Sequence, residues 1–288
     1  MSFPATLVVG ATGRIGRVLQ RCWGRRSADV LWQSRSGPAT QATTEGPTAG
    51  TWAIFDPLHD GDAYRRAARD CDVILCLAWV IPGRGADLED NVTLAEAAIR
   101  VGAATGARVL LASSAAVYGN QPGCLDETAA LCPQAPYGVA KARMEARGAA
   151  LGAALGATVS ALRIGNIAGL DAILGGWRPG FALDVLPDGG TPQRSYIGMG
   201  DLAQALGDVV AAEDLPPALN IAAPGPIAMG ALLDAAGLAW TPRPAPDGVI
   251  ARVELDPARL AAMSVVGRTA ADPSQMVADW RRIGPHVT

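Results

Sequence analysis

The short apolar run Thr6-Leu-Val-Val9 leads at once into Gly10-Ala-Thr-Gly13-Arg-Ile-Gly16, and apolar residues recur at helical spacing from Arg14 to Trp23. A strand that turns through three glycines into a helix can fold in few ways. Gly10 allows the tight turn, Gly13 lets the backbone approach a bound group, and Gly16 lets helix and strand pack closely. The first turn of a helix carries unpaired N–H groups and the positive end of its dipole, so this unit seats a phosphate or pyrophosphate.

The same strand-then-helix pattern repeats downstream. Further strands are predicted at 30–33, 51–55, 72–78, 108–113 and 158–164, with helices near 64–68, at 88–104 and at 136–155. The run at 72–78 is apolar nearly throughout, as in a strand buried on both faces of a parallel sheet. Strands alternating with helices predict an α/β fold with a doubly wound parallel sheet, whose ligands bind at the carboxyl ends of the strands. Gly10, Arg35, Asp56, Ala78, Ser114 and Asn166 all fall at such ends. Residues 39–50, rich in Thr, Gly and Pro, are expected to form a surface loop. Past residue 165 the pattern changes. A segment at 170–196 rich in Gly, Pro and Trp is expected to cover a substrate. Asp201 is expected to cap a helix at 202–212. A strand returns at 218–222, a helix is expected at 227–236, a loop at 240–246, a strand at 249–255 and a helix at 274–282. The expected division is therefore 1–165, with 197–223 returning to it, for the dinucleotide-binding part, and 166–196 with 224–288 for a small substrate-binding region.

Tyr137 and Lys141 are four positions apart on the predicted helix 136–155 and so share a face. A phenol has an ordinary pKa of about 10, and a neighbouring ammonium favours its ionised form. The pair is thus a candidate acid/base, and Ser114, at the end of strand 108–113, can hold a reacting oxygen beside it. Asp56 has two readings: it accepts a hydrogen bond from an adenine amino group, or it caps the next turn.

Composition excludes several classes. Half the residues are hydrophobic, 18% are charged and the net charge is -3, so the chain is globular and lacks the basic field that nucleic acid or an anionic membrane requires. No stretch is long and apolar enough to span a membrane, and the amino terminus has no secretory pattern, so a cytoplasmic protein is expected. The 5 cysteines include no C-x-x-C pair and are read as reduced thiols, with Cys124 and Cys132 able to pair only in an oxidising compartment. The 2 histidines, His59 and His286, have no metal-ligand spacing, and no metal site is expected.

These motifs together resemble the extended short-chain dehydrogenase/reductases of the NAD-dependent epimerase/dehydratase family. The resemblance rests on the glycine turn, Asp56, Asn91-Val92, Ser113-Ser114-Ala-Ala-Val-Tyr-Gly119, Glu127 ahead of Pro136-Tyr137-Gly-Val-Ala-Lys141, and Leu162-Arg-Ile-Gly-Asn166. Arg194-Ser-Tyr-Ile-Gly-Met-Gly-Asp201 resembles the family's R-D-Y-I-H-V-x-D segment, whose arginine commonly meets a substrate phosphate. The resemblance implies Ser114, Tyr137 and Lys141 as catalytic residues. For the cofactor it implies Gly10, Thr12, Gly13, Arg14 and Ile15 in the turn, then Ser34, Arg35, Asp56 and Pro57. Leu77, Ala78, Ser113 and Ile164 complete that set, together with Tyr137 and Lys141. For the substrate it implies Trp79, Ser114, Asn166 and Arg194, and it implies a homodimer through the helices 88–104 and 136–155.

Two departures narrow the activity. Dehydratases carry an acidic pair directly after the active-site Ser or Thr, where this chain has Ala115 and Ala116. Trp79 narrows the pocket, which fits a compact sugar, although it can also stack on a sugar ring. The expectation is an oxidoreductase acting on a sugar-like hydroxyl or carbonyl. The alternatives are a redox epimerase using the same three residues and, from another class, a non-catalytic dinucleotide sensor. An NAD site needs a carboxylate at the end of the second strand. Here that strand ends in Ser34-Arg35-Ser36, which suits the 2′-phosphate of NADP, with Arg14 as a second positive charge; NAD remains an option.

Overall fold

A computed structural model of the chain describes residues 3–36, 51–80, 83 and 87–287. The loop expected at 39–50 lies outside the described residues. Strands β1 (Thr6–Val9), β2 (Val30–Ser34), β3 (Thr51–Ile54), β4 (Val73–Cys76) and β5 (Arg108–Ser114) alternate with helices α1 (Arg14–Trp23), α2 (Gly61–Ala68) and α3 (Asp90–Thr105). After a short strand β6 (Cys124–Leu125) come α4 (Pro136–Leu155), β7 (Val159–Ile164), β8 (Asn166–Ile167), β9 (Ala182–Val185), β10 (Gln193–Ile197), α5 (Met199–Ala211) and β11 (Ala218–Ile221).

Seven strands form one sheet in the order β3-β2-β1-β4-β5-β7-β11, every neighbouring pair parallel. Because side chains alternate along a strand, each strand feeds two cores. Val8, Leu75, Leu110 and Leu162 meet α1 and α5 on one face. Leu7, Ile74, Val109 and Leu111 meet α2, α3 and Met144 of α4 on the other. The Trp23 indole N–H reaches across to the Ala203 carbonyl at 2.9 Å and fastens α1 to α5. This is the doubly wound α/β sheet that the alternating pattern predicts.

The remainder is built from short elements: β12 (Pro226–Ala228), α6 (Met229–Ala235), β13 (Thr241–Pro244), β14 (Arg252–Leu255), α7 (Ala258–Ala261) and α8 (Pro273–Ile283). β10 lies between β12 and β14 in a five-stranded sheet that ends in β6, and β8 also pairs with it. Several boundaries differ from expectation, each for a local reason. Residues 240–246 hold a strand: Thr241 and Ala245 donate to β9-side carbonyls at 2.9 and 3.0 Å, and the prolines at 242 and 244 fall between these donating positions. Ile227 begins no helix, because it pairs with Arg194 as part of β12. Asp201 is not the cap of α5; the helix starts at Met199, and the Asp279 carboxylate of α8 accepts the Gly200 N–H at 3.1 Å.

One buried polar network crosses the sheet. The Glu145 carboxylate of α4 accepts from the Ser113 hydroxyl and pairs with Arg163 of β7, with Nη2 to Oε2 at 2.8 Å. Arg163 also donates to the Tyr118 hydroxyl at 2.9 Å and to the Glu127 carbonyl at 3.0 Å. Tyr118 donates in turn to Asn220 of β11 at 2.8 Å, and the Asn220 N–H donates to the Glu127 carboxylate at 2.8 Å. Breaking one side of a buried ion pair costs about 3–5 kcal/mol, because the partner is left charged and unpaired. Glu145→Leu is therefore expected to lower the unfolding free energy by about that amount. Urea denaturation showing an unchanged midpoint would mean that Arg163 finds other compensation.

Candidate active site

The glycine turn opens onto a cleft of about 570 Å³ at the carboxyl ends of β1, β2 and β4, beside Phe55 and the turn that follows β3. Its shape depends on missing side chains. Gly10 has φ +83°, and a Cβ there would stand 2.7 Å from the Ala78 nitrogen; a Cβ on Gly16 would stand 2.3 Å from the Ala11 carbonyl oxygen. Thr12, Gly13, Arg14 and Ile15 continue the wall, with Leu77, Ala78 and Trp79 opposite. Ser34 and Arg35 line the far end with Asp56 and Pro57. The Ser34 hydroxyl is buried with no hydrogen-bond partner among the described residues, and Arg35 is exposed. An orphaned hydroxyl beside an exposed guanidinium, next to a turn whose backbone is bare, fits the adenosine and phosphate portions of a dinucleotide.

Asp56 both caps the turn that follows β3 and lines the cleft. Its carboxylate accepts the Leu58 N–H at 2.8 Å and lies 3.3 Å from the His59 ring nitrogen. The Leu58 hydrogen bond foremost, then His59 and Arg35, holds its carboxyl below the usual range despite some opposing desolvation.

The catalytic candidates come together at the end of β5. The Ser114 oxygen accepts the Ala116 N–H at 3.2 Å, capping a single helical turn over Ala115–Val117, and its hydroxyl lies close enough to the Tyr137 phenol to act on it. α4 can approach this turn because residue 138 is glycine: a Cβ there would lie 2.4 Å from the Ala116 carbonyl oxygen. Lys141 is buried, donates to the Ala112 carbonyl at 2.8 Å, and holds its ammonium 5.4 Å from the Trp79 ring and 5.9 Å from the Tyr137 ring. The charges do not act as the sequence suggests. Burial pushes the Tyr137 phenol up to about 12, and the opposing effects come from the Ser114 bond and from Arg14. Burial likewise pushes Lys141 down to about 8, against Cys76 and Glu145.

Two predicted cofactor residues, Ser113 and Ile164, lie outside the cleft lining. The Ser113 side chain points to the α4 face and is committed to Glu145, because successive residues of a strand face opposite ways. Ile164 is buried in the core shared with α5. Arg14 lines the cleft, donates to the Leu170 carbonyl at 2.6 Å and acts on Tyr137.

Asn166 and Arg194 sit in a second cluster. Asn166 and Arg194 lie close enough to act on Tyr196, whose hydroxyl donates to the partly buried Asp171 carboxylate at 2.9 Å. Asp171 also accepts N–H groups of Gly169 and Leu174, so it shapes the segment that Arg14 holds at Leu170. Asn91 reaches back to Val80, its side chain bonding both the N–H and the carbonyl at 3.2 and 3.0 Å, and so fixes the stretch that carries Trp79. Sequence reasoning missed Gln33, His59, Asp171 and Tyr196. A glutamine inside an apolar strand and an aspartate in the otherwise apolar stretch 167–174 are the signals that pointed to two of them.

Residues 6–222 match the NAD dependent epimerase/dehydratase family. The chain belongs to that family. It is therefore an enzyme of a nicotinamide-dependent group. No curated protein matches the sequence. Among solved structures, it is similar to a UDP-glucose 4-epimerase of Thermus thermophilus in complex with NAD, at 21% identity over 97% of this chain and 98% of that one, with TM-score 0.75. A UDP-glucuronic acid 4-epimerase of Bacillus cereus, in complex with UDP-glucuronic acid and NAD, is 18% identical over 97% and 99%, with TM-score 0.76. The dTDP-glucose 4,6-dehydratase DesIV of Streptomyces venezuelae is 20% identical over 96% and 97%, with TM-score 0.73. At these identities the likeness shows the shared fold.

Among the described residues no helix is long and apolar enough to cross a membrane and no group of side chains could hold a metal ion. A lysine pushed down by burial gives a testable pH dependence. Between about 8 and the ordinary 10.5, the unfolded chain still binds the proton that folded Lys141 has released, so stability attributable to Lys141 rises with pH. Thermal unfolding at both ends of that window is expected to show the parent gaining on Lys141→Met as pH increases. A constant difference between the two chains would show that Lys141 is not desolvated in this way.

Proposed function

We propose that the chain is an NADP(H)-dependent oxidoreductase that moves a hydride between the nicotinamide and a hydroxyl-bearing or carbonyl-bearing carbon of a sugar or sugar-like substrate. The observation that carries this reading is the Ser114, Tyr137 and Lys141 constellation at the end of β5, next to Trp79 and Arg14 of the cleft that the glycine turn opens onto. A bound nicotinamide supplies or receives the hydride. The protein's own groups handle the matching proton: the Tyr137 oxygen gives it to, or takes it from, the substrate oxygen, and Ser114 orients that oxygen. Arg14 provides positive charge that favours the phenolate, and Lys141 stands 5.9 Å from the Tyr137 ring.

The neutral Ala115 and Ala116 behind Ser114 speak against a dehydratase, since no acid stands there to remove water. A redox epimerase is the second reading, favoured by the family assignment and requiring the same residues. The intact Ser, Tyr and Lys set weighs against a non-catalytic sensor. Preference for NADP(H) rests on Ser34 and Arg35, where the fold would place a carboxylate for NAD. The division into a dinucleotide-binding part and a substrate-binding region 166–196 with 224–288 belongs to this reading, with Trp79, Ser114, Asn166 and Arg194 facing the substrate. We also propose a homodimer through α3 and α4, supported by the exposed Val139 and Leu155 on α4. The five free cysteines suit a reducing, cytoplasmic setting.

Tyr137→Phe is expected to reduce turnover by about 10²- to 10⁴-fold while leaving dinucleotide affinity nearly intact. Unchanged turnover removes the assignment. With a panel of sugars and catalytic cofactor, a dehydrogenase changes nicotinamide absorbance in proportion to product, whereas an epimerase converts substrate with no net change. Hydrogen bonds to a charged group are worth roughly 1.5–3 kcal/mol. Arg35→Ala should accordingly weaken NADP(H) by about ten- to a hundredfold and hardly touch NAD(H). An Arg35→Ala variant that binds NADP(H) as the parent does would defeat the preference.

A further inference from the structure

β2 is a central strand of the sheet, flanked by β1 and β3, and such strands favour apolar side chains throughout. Gln33 breaks this pattern while only 2% exposed. A primary amide carries both a donor and an acceptor, and burying it is costly unless they are paired. Here both ends are used on backbone groups of other segments. The side-chain oxygen accepts the Gly10 N–H at 2.8 Å, and the side-chain nitrogen donates to the Phe55 carbonyl at 2.6 Å. The Gln33 carbonyl accepts the Ala11 N–H at 3.1 Å, and the Ser34 carbonyl accepts the Phe55 N–H at 3.1 Å. A single residue therefore ties together the carboxyl ends of β1, β2 and the strand that precedes Phe55, in the wall of the cleft.

This tie acts on the glycine turn at its least constrained point. Gly10 adopts φ +83°, a conformation that glycine shares with many alternatives in a flexible chain. Gln33 takes the N–H groups of Gly10 and Ala11, and the Gly10 carbonyl accepts the Gly13 N–H at 3.0 Å. Three successive hydrogen bonds thus set the turn without any contribution from a ligand. The amino end of α1 is left facing the cleft, where its dipole favours an anion.

We propose that Gln33 is a positioning residue for the dinucleotide: it holds the glycine turn in the phosphate-binding form whichever dinucleotide is bound. The proposal rests on the dinucleotide reading of the cleft but not on the preference for NADP(H). Arg35 acts on one end of one cofactor; Gln33 acts on the turn that both cofactors share.

The test is direct titration of purified parent and Gln33→Leu with NADPH and with NADH, followed by fluorescence or calorimetry. Leucine keeps the volume and removes both side-chain hydrogen bonds. Losing an interaction of this size is expected to weaken NADPH and NADH in parallel, by roughly tenfold each. Binding of both at parental affinity overturns the proposal, and so does a loss confined to NADPH, which would make Gln33 a contact of the 2′-phosphate instead. A parent that prefers NADH, with a parallel loss in Gln33→Leu, removes the Arg35 reading and leaves the Gln33 proposal standing. Should the variant fail to fold, amide exchange in the unliganded parent decides. The Gly10 N–H is expected to exchange slowly without dinucleotide, being bonded to Gln33. Exchange at the rate of an open loop overturns the proposal.

Discussion

The Glu145–Arg163 ion pair is the constraint on which the carboxyl edge of the sheet depends. Tyr137, Lys141 and Glu145 follow one another at intervals of four along α4, so they occupy one stripe of that helix. Glu145 fastens the stripe to β5 through Ser113 and to β7 through Arg163, both in the interior. Such a pair gains little net stability, because two charges must leave water, and well-packed apolar residues often do as well. What it adds is direction. An apolar contact tolerates small rotations of a helix, whereas a carboxylate shared by a guanidinium and a hydroxyl does not. Tyr118, Asn220 and Glu127 satisfy the remaining donors and acceptors and carry the constraint to β11 and to the loop ahead of α4. The phenol of Tyr137 is thereby held beside Ser114 by groups outside the cleft lining.

Burial then governs the chemistry of the stripe. The same packing that fixes Tyr137 and Lys141 strips them of water, and desolvation disfavours whichever form is charged. For the phenol this opposes the phenolate, and for the amine it opposes the ammonium, so each is driven toward its neutral form. Charge complementarity between the two is weaker here than their spacing suggests, because the Lys141 ammonium is committed to the Ala112 carbonyl. Arg14 supplies part of the missing field from the glycine turn. An arginine resists neutralisation far better than a lysine, which makes it the more dependable charge at a dry site.

The fold was legible in the sequence because its determinants are local and periodic. Apolar runs of the right length, glycines at the first turn and the Pro136 start of α4 each act within a few residues, and all of the strands of the parallel sheet appear where those signals stand. The proximity of the candidate site residues was legible for the same reason: Tyr137 and Lys141 share a helix face by spacing, and Ser114 ends a strand beside them. The second half was less so. β12 and β13 are held by pairing with β10 and β9, contacts across tens of residues that no local propensity reports, and the prolines at 242 and 244 argued for a loop until the alternate register gave them a place. Ser113 shows the same limit at one residue. Its neighbour Ser114 faces the site, and a period of two turns Ser113 to the other face.

The two ends of the cleft are built on different principles, and this bears on how the enzyme distinguishes its ligands. At the glycine turn, recognition depends on absent side chains and on backbone groups locked by hydrogen bonds, which suits a pyrophosphate common to every dinucleotide. At the far end two side chains, the buried Ser34 and the exposed Arg35, line the cleft. At the catalytic end the segment after β8 is held from three directions: Arg14 at Leu170, Tyr196 at Asp171, and the Trp280 indole against Gly169, where even a Cβ would stand 2.2 Å from the ring. Only the first of these holds reaches from the glycine turn.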